Sequence, residues 1–388
     1  MYPTISDLIF DLTGLNIPLP IQSFGFMMAI SFLLAAYTLS LELKRKEGLG
    51  LIKPVTIKTL IGEKASLTEL LISFSIGFIV GYKLLYAFTH YTEFVADTQG
   101  VLLSSEGSFL GGLLGGALGA YLKYREKDRQ KLAKPEWLSE EIHPYQLVGN
   151  ITIIAAVSGL VGAKIFHNLE NLDDFAKDPW GSLISFSGLT MYGGLILGAV
   201  AVIYYGKKNN ISPLHLTDSA APGLMLSYGT GRIGCHVSGD GDWGIVNTHA
   251  KPAWLEFLPD WIWSYQYPHN VLSEGIPIPG CEGRHCMMLP EPVFPTPFYE
   301  AVICIGLFFV LWSLRKHISI PGVLFSVYLI FNGVERFFIE KIRVNTKYHI
   351  SGHAITQAEI ISVVLIILGI IGIIIFRKMA KNRNTSLT

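Results

Sequence analysis

Ile360-Ile-Ser-Val-Val-Leu-Ile-Ile-Leu-Gly-Ile-Ile-Gly-Ile-Ile-Ile-Phe376 carries no charged residue and is followed at once by Arg377-Lys378. A hydrocarbon core about 30 Å thick takes about 20 residues of helix, so this run and its flanks make one membrane crossing ended by an interfacial basic pair. The whole chain has the same character. Of its 388 residues, 50% are hydrophobic and only 15% are charged, against about 25% charged in soluble domains. That is too little charge to coat a soluble globule of this size. With 30 Lys+Arg against 30 Asp+Glu the formal net charge is zero, which argues against nucleic acid as a partner. Met1 to Leu19 is acidic, interrupted by proline and without a basic start, so no cleaved signal peptide is expected.

Comparable apolar runs lie at roughly 22–41, 68–88, 109–123, 146–167, 188–205, 214–232, 298–314, 320–340 and 355–376. The expected fold is an all-α, polytopic helical membrane protein with about nine transmembrane helices. The third run is short. Its Phe109-Leu-Gly-Gly-Leu-Leu-Gly-Gly-Ala-Leu-Gly119 puts small residues at i and i+4, which favours close helix packing over lipid contact. Lys44-Arg45-Lys46, Lys123 to Lys134, Lys207-Lys208, Arg315-Lys316 and Arg377-Lys378 follow the odd-numbered spans, while Glu93, Asp97, Glu106, Glu170, Asp173, Asp174 and Asp178 occupy the other loops. Basic loops stay cytoplasmic. The N-terminus is therefore expected outside, residues 235–297 as an extracytoplasmic head, and the tail 377–388 inside, around one integral-membrane domain over 1–376. Lys341, Arg343 and Lys347 break this rule just outside span eight, where positive charge needs a function.

Gly81-Tyr-Lys83, an acidic loop and Gly111-Gly112-Leu113 are echoed by Gly162-Ala-Lys164, another acidic loop and Gly193-Gly194-Leu195. Each copy contains two spans, so the copies are parallel. Duplication and recurrent glycine packing both explain the echo, and no inverted repeat of the transporter kind is seen.

Charge inside a bilayer is costly, so each such residue marks a candidate site. Arg336, Glu340 and Arg343 share one face of span eight near its outer end. They form either a helix-end ion ladder or an anion site in which a guanidinium fork meets phosphate oxygens. Span six ends in Gly229-Thr-Gly-Arg232-Ile-Gly-Cys-His236, followed by Gly239-Asp-Gly-Asp-Trp-Gly244. Glycines on both sides of Arg232 are expected to bring backbone N–H groups to an anion. Two cations converging from different helices suit a phospholipid head group.

These residues resemble the prolipoprotein diacylglyceryl transferase family. Gly231-Arg-Ile-Gly234 with Gly239, Asp240 and Gly244 is similar to the family's G-R-x-G-N-F-x-N-G-E-x-x-G, and Tyr192-Gly-Gly-Leu-Ile196 to its H-G-G-L-I. Pro295-Thr-Pro-Phe-Tyr299-Glu300 looks like P-S-Q-L-Y-E, Arg336 with Glu340 like R-x-x-x-E, and Ile355 to Ser362 like the opening of the last span. The matches run in order over about residues 20 to 376. The resemblance implies an enzyme of the bacterial inner membrane. It would move diacylglyceryl from phosphatidylglycerol to the lipobox cysteine of a preprolipoprotein signal peptide, release glycerol phosphate, and use neither metal nor cofactor. On this resemblance Arg232 and Arg336 are the essential arginines, Glu340 the acid behind the second, Asp240 the signature glutamate and Gly244 its last glycine. Gly193, Gly194, Asn332 and Arg343 complete the expected substrate-binding set. Members of the family typically have seven spans, so 68–123 looks like an inserted helical hairpin.

Several positions depart from the pattern. Phe24 and Asn332 stand where the family has tyrosines, Tyr192 where it has histidine, and Cys235 where it has asparagine. Phosphate binding is expected to persist, whereas the base must come from elsewhere. Tyr192 is expected to orient phosphate or glycerol by a hydrogen bond. His236, four residues after Arg232 and with an unperturbed pKa of about 6.5, is either the substitute base or an interfacial histidine of no catalytic weight. Cys281 and Cys286, in an outer head, are expected to form a disulfide rather than a metal site. Cys235 and Cys304 are expected as buried thiols. The alternative function is a lipid-binding scaffold or transporter that kept the pocket and lost catalysis.

Overall fold

A computed structural model describes residues 1–184, 188, 190–345, 347–350 and 353–385. Among them, nine helices of at least eighteen residues follow one another: α1 Ser23–Gly48, α2 Leu67–Thr89, α3 Phe109–Arg129, α4 Val148–Glu170, α5 Met191–Lys208, α6 Pro213–Ser238, α7 Thr296–Leu314, α8 Val323–Glu340 and α9 Gln357–Thr385. Each overlaps one of the apolar runs. Five stretches are long and apolar enough to cross a membrane by length and composition, namely Ser23–Gly48, Leu67–Thr89, Pro144–Glu170, Thr296–Leu314 and Gln357–Asn382. The third helix outlasts its apolar run, because Lys123, Arg125, Glu126, Lys127 and Arg129 are good helix formers and Lys123 pairs with Glu126 at 3.0 Å. Large apolar side chains such as Ile79, Leu84, Phe88, Leu195 and Ile374 cover outward faces, as a bilayer solvent requires.

The chain packs as two units, Met1–Ile52 with Ile203–Thr388, and Lys53–Val202. In the second unit, β1 (Val55–Ile61) pairs antiparallel with β2 (Glu136–Ile142), Val55 opposite Ile142, and closes the α2–α3 hairpin. The element around residues 68–123 is thus wider than its apolar runs and ends in a two-stranded ribbon. Glycine makes its helices touch at the backbone: a Cβ on Gly81 would strike the Gly111 carbonyl, and one on Gly77 the Gly115 carbonyl. The α4–α5 hairpin repeats this contact, with Gly162 and Gly193 each against the other's carbonyl. The loops match as well. Asp97 accepts from Gly100 N–H at 2.9 Å, and Asp178 from Gly181 N–H at 2.9 Å. The two hairpins of the sequence echo are built alike. Lys83 Nζ pins its loop by donating to the carbonyls of Val101, Ser104 and Glu106 at 2.8, 2.5 and 2.7 Å.

In the first unit α6 lies between α1 and α7. Gly231 and Gly234 face Met28 and Met27 of α1, while Gly229 faces Ala301 and Cys304 of α7. The glycines around Arg232 are therefore inside a helix and serve packing. Their N–H groups are not presented to an anion, contrary to the sequence expectation, because the chain stays helical through Ser238. Met225, Cys304, Phe308, Leu311 and Leu324 form the buried core among α6, α7 and α8. Asp218 of α6 accepts the N–H groups of Gly322 and Phe325 at 2.7 and 2.8 Å, docking the start of α8 on α6. From that tie Arg232 lies fourteen residues along α6, and Arg336 fourteen residues beyond Gly322 along α8. Both rise about 21 Å, and the two arginines reach the same level.

Between α6 and α7, residues 239–295 gather as a head around a core of Trp243, Tyr267, Leu289 and Val293, shorter at both ends than the expected 235–297 because α6 runs on through Ser238 and α7 begins at Thr296. The Met1 ammonium donates to the Pro268 carbonyl at 2.9 Å, so the N-terminus belongs to the head. Cys281 and Cys286 are disulfide-bonded, and Cys235 and Cys304 are buried free thiols.

Candidate active site

Where α6 and α8 end, three guanidinium groups meet one carboxylate. Glu300, in the first turns of α7, has a fully buried side chain. Its Oε2 lies 2.7 Å from Arg232 Nε and 3.8 Å from Arg336 Nη1, and its Oε1 accepts from Arg343 Nη1 at 3.0 Å. Tyr228, one turn before Arg232, also donates its hydroxyl to Glu300 Oε2 at 2.7 Å. A carboxylate this deep is tolerated only when cations and donors surround it.

The second acid of the cluster is Asp242. Its Oδ2 pairs with Arg232 Nη1 and its Oδ1 with Arg343 Nη2. Gly239 and Gly241 adopt φ of 66° and 94°, left-handed backbone that turns the chain after α6 and aims Asp242 inward. Ile245 N–H donates to the Ile342 carbonyl at 2.9 Å, and Gly244 bridges Arg343, which holds the two segments in register. Thr296 donates its hydroxyl to the Asp242 carbonyl at 2.7 Å. Beyond the end of α8, Arg343 loses its water to burial. This first, and the charge of Arg232 second, lower its pKa to about 10.

Glu340 completes the set as the i+4 partner of Arg336 at 3.0 Å, its other oxygen accepting from Asn345 at 2.6 Å. Arg232, Arg336, Arg343, Asp242, Glu300 and Glu340 thus balance in charge. Each guanidinium carries five N–H donors, and the carboxylates do not use them all; among the described residues Arg336 Nη1 has no hydrogen-bond partner.

The other expected residues are placed as follows. Asp240 is half-buried at the turn, with Oδ1 3.4 Å from the Asp242 N–H, and Asp242 rather than Asp240 takes the guanidinium groups. The Gly244 N–H is committed to the Phe294 carbonyl at 2.8 Å. Asn332 is half-buried on the Arg336 face of α8. His236 sits among Trp261, Tyr265, Tyr267 and Phe298, ring centroids 5.4 to 6.1 Å away, with Nδ1 3.2 Å from the Tyr267 hydroxyl. Tyr192 is half-buried near the start of α5, and Gly193 and Gly194 lie against Gly162 and Gly159 of α4. Lys341 pairs with Glu359; Lys347 lies on a strand whose side chains are outside the described set. Sequence reasoning left three members of the cluster unassigned: Glu300, Asp242 and Tyr228. Glu300 was marked by its place in the Pro295–Glu300 motif and by its apolar setting at the start of a span.

The family model described as prolipoprotein diacylglyceryl transferase matches residues 12–138 and 129–375. Phosphatidylglycerol–prolipoprotein diacylglyceryl transferase of Oceanobacillus iheyensis is 27% identical over 265 residues, 68% of this chain and 81% of that protein. The proteins of the same name from Staphylococcus haemolyticus and Staphylococcus aureus are each 28% identical, over 239 and 243 residues. These alignments take in 61% and 62% of this chain, and 75% and 77% of the relatives.

Proposed function

Because the chain belongs to the prolipoprotein diacylglyceryl transferase family, we propose that it transfers diacylglyceryl from phosphatidylglycerol to the lipobox cysteine thiol of a preprolipoprotein signal peptide. A thioether forms and glycerol phosphate leaves, the first step of lipoprotein maturation. The observation that carries this function is the meeting of Arg232, Arg336 and Arg343 around Glu300. Three guanidinium groups at one level can take a phosphodiester by their remaining donors. As the carbon–oxygen bond breaks, charge grows on the departing phosphate, and fixed cations in a dry site stabilise it. Asn332 and Glu340 line the Arg336 side, while for Tyr192, Gly193 and Gly194 a substrate contact rests on the family motif alone.

The protein is a multi-pass membrane protein. Its home is the bacterial inner membrane, with the N-terminus and head outside and the tail 377–388 in the cytoplasm. The basic residues after the odd-numbered spans support that orientation. Residues 1–376 act as one transferase domain carrying an extra hairpin.

Purified protein mixed with phosphatidylglycerol vesicles and a lipobox peptide tests the proposal. The expected result is a diacylglyceryl mass gain on the peptide with stoichiometric glycerol phosphate. Lipid binding without turnover would favour the scaffold.

A further inference from the structure

Resting on the transferase function above, we propose that Asp240 is the proton acceptor for the thiol of the acceptor peptide. A thiol has a pKa of about 8.5 and is mostly protonated at neutral pH, so its attack needs a base. The position that holds histidine in the family motif holds Tyr192 here. A tyrosine hydroxyl, with an unperturbed pKa of about 10, is rarely in the form that accepts a proton.

The acids of the cluster are nearly all engaged. Asp242 gives one oxygen to Arg232 and the other to Arg343. Glu300 is enclosed by three guanidinium groups, and Glu340 is held by Arg336 and Asn345. Glu335 is only 4% exposed in α8, out of reach of an entering peptide. His236 is boxed in by four aromatic rings, with Nδ1 on Tyr267.

Asp240 differs from each of them. It is half-buried, and among the described residues it has no ion pair and accepts only from the Asp242 N–H at 3.4 Å and the Cys235 thiol. Cys235 Sγ and carboxylate oxygens of Asp240 and Asp242 all lie within 4.8 Å of one another. Asp240 therefore stands beside the carboxylate that Arg232 and Arg343 hold, which is where a bound phosphate would present the adjoining glyceryl carbon. Arg343 and Tyr267 are within its electrostatic reach.

An aspartate is too weak a base to deprotonate a thiol beforehand, so the transfer accompanies bond formation. The sulfur bonds to the glyceryl carbon as its S–H bond breaks and the proton passes to Asp240. The carbon–oxygen bond breaks, and its electron pair leaves on glycerol phosphate among the guanidinium groups. Water then takes the proton from Asp240.

Steady-state transfer from phosphatidylglycerol vesicles to a lipobox peptide between pH 6 and 9 tests this in the full chain. Asp240→Asn is expected to lower kcat about 10²–10⁴-fold at pH 7 with KM nearly unchanged, and the deficit should shrink as rising pH supplies thiolate. Asp240→Glu, which keeps the carboxylate one methylene further out, is expected to recover at least about tenfold over Asp240→Asn. A kcat within about threefold of wild type for Asp240→Asn overturns the assignment. So does a deficit that Asp240→Glu shares in full and that pH does not relieve. Should Asp240→Asn fail to fold, Asp240→Ala is read by the same criteria, and a kcat at pH 7 within about threefold of wild type sinks the idea. An inactive wild type brings down the transferase function and this assignment together, whereas an active wild type with an active Asp240→Asn removes only the base.

Discussion

Arg232 and Arg343 grip opposite oxygens of the same two carboxylates. Arg232 takes Asp242 Oδ2 and Glu300 Oε2, and Arg343 takes Asp242 Oδ1 and Glu300 Oε1. The four side chains close a ring of alternating charge that ties the end of α6, the turn after it, the start of α7 and the segment after α8. Every member has two opposite-sign neighbours, so losing one leaves two charges exposed to the desolvated interior. The ring keeps the arginines at one level without lipid, so their ordering cost is met before substrate arrives.

Glu300→Ala is expected to destabilise the protein by about 3–5 kcal/mol, because three guanidinium groups lose their shared carboxylate in a buried place. Thermal unfolding in detergent measures it. A loss below about 1 kcal/mol would mean that the ring carries little of the stability.

Arg336→Ala is expected to lower turnover at least about 10²-fold, since it removes a fixed cation from the site of developing charge. Arg336→Lys keeps the charge without the planar fork that reaches Glu340 and Glu300 together, and is expected to stay at least about tenfold below wild type. Peptide transfer assays read both. Normal rates in the alanine variant would refute the anion site.

Gly111→Val is expected to cost about 1–3 kcal/mol, because the new side chain meets the Gly81 carbonyl and Leu85 across the α2–α3 contact. Gly25→Ala is the control: nothing among the described residues lies within 4 Å of the added carbon, and its unfolding temperature should equal or slightly exceed wild type, since alanine is the better helix former.

Replacing Cys281 and Cys286 by serine is expected to cost about 2 kcal/mol, the loop-closure value for so short a loop. Limited proteolysis of the head between Ile276 and Met288 should speed up correspondingly, while transfer activity, which depends on residues outside that loop, stays near wild type. Equal proteolysis rates for the two proteins would contradict the expectation.

The positions of the long helices, the glycine-matched hairpins and the Arg336–Glu340 pair were all legible along the chain, because each depends on neighbours within a few turns or on the length of an apolar run. The glycines flanking Arg232 illustrate what was not. Their spacing fits an anion-binding loop and a helix packed on both sides equally well, and the difference lies in Met27, Met28 and Ala301 on other helices. Counting along the signature places Asp240 at its glutamate and leaves Asp242 unassigned, but two left-handed glycines turn the chain so that Asp242 meets the arginines.

The sequence by itself determined which segments are long apolar helices, since a bilayer demands long apolar runs with backbone hydrogen bonds satisfied within each segment. It also determined which arginines are too expensive to be idle. The tertiary structure alone decided which carboxylates meet them. Asp242 is 101 residues from Arg343 and Glu300 is 43, and over such separations partnership is set by how helices stack and where turns point, which no local spacing encodes.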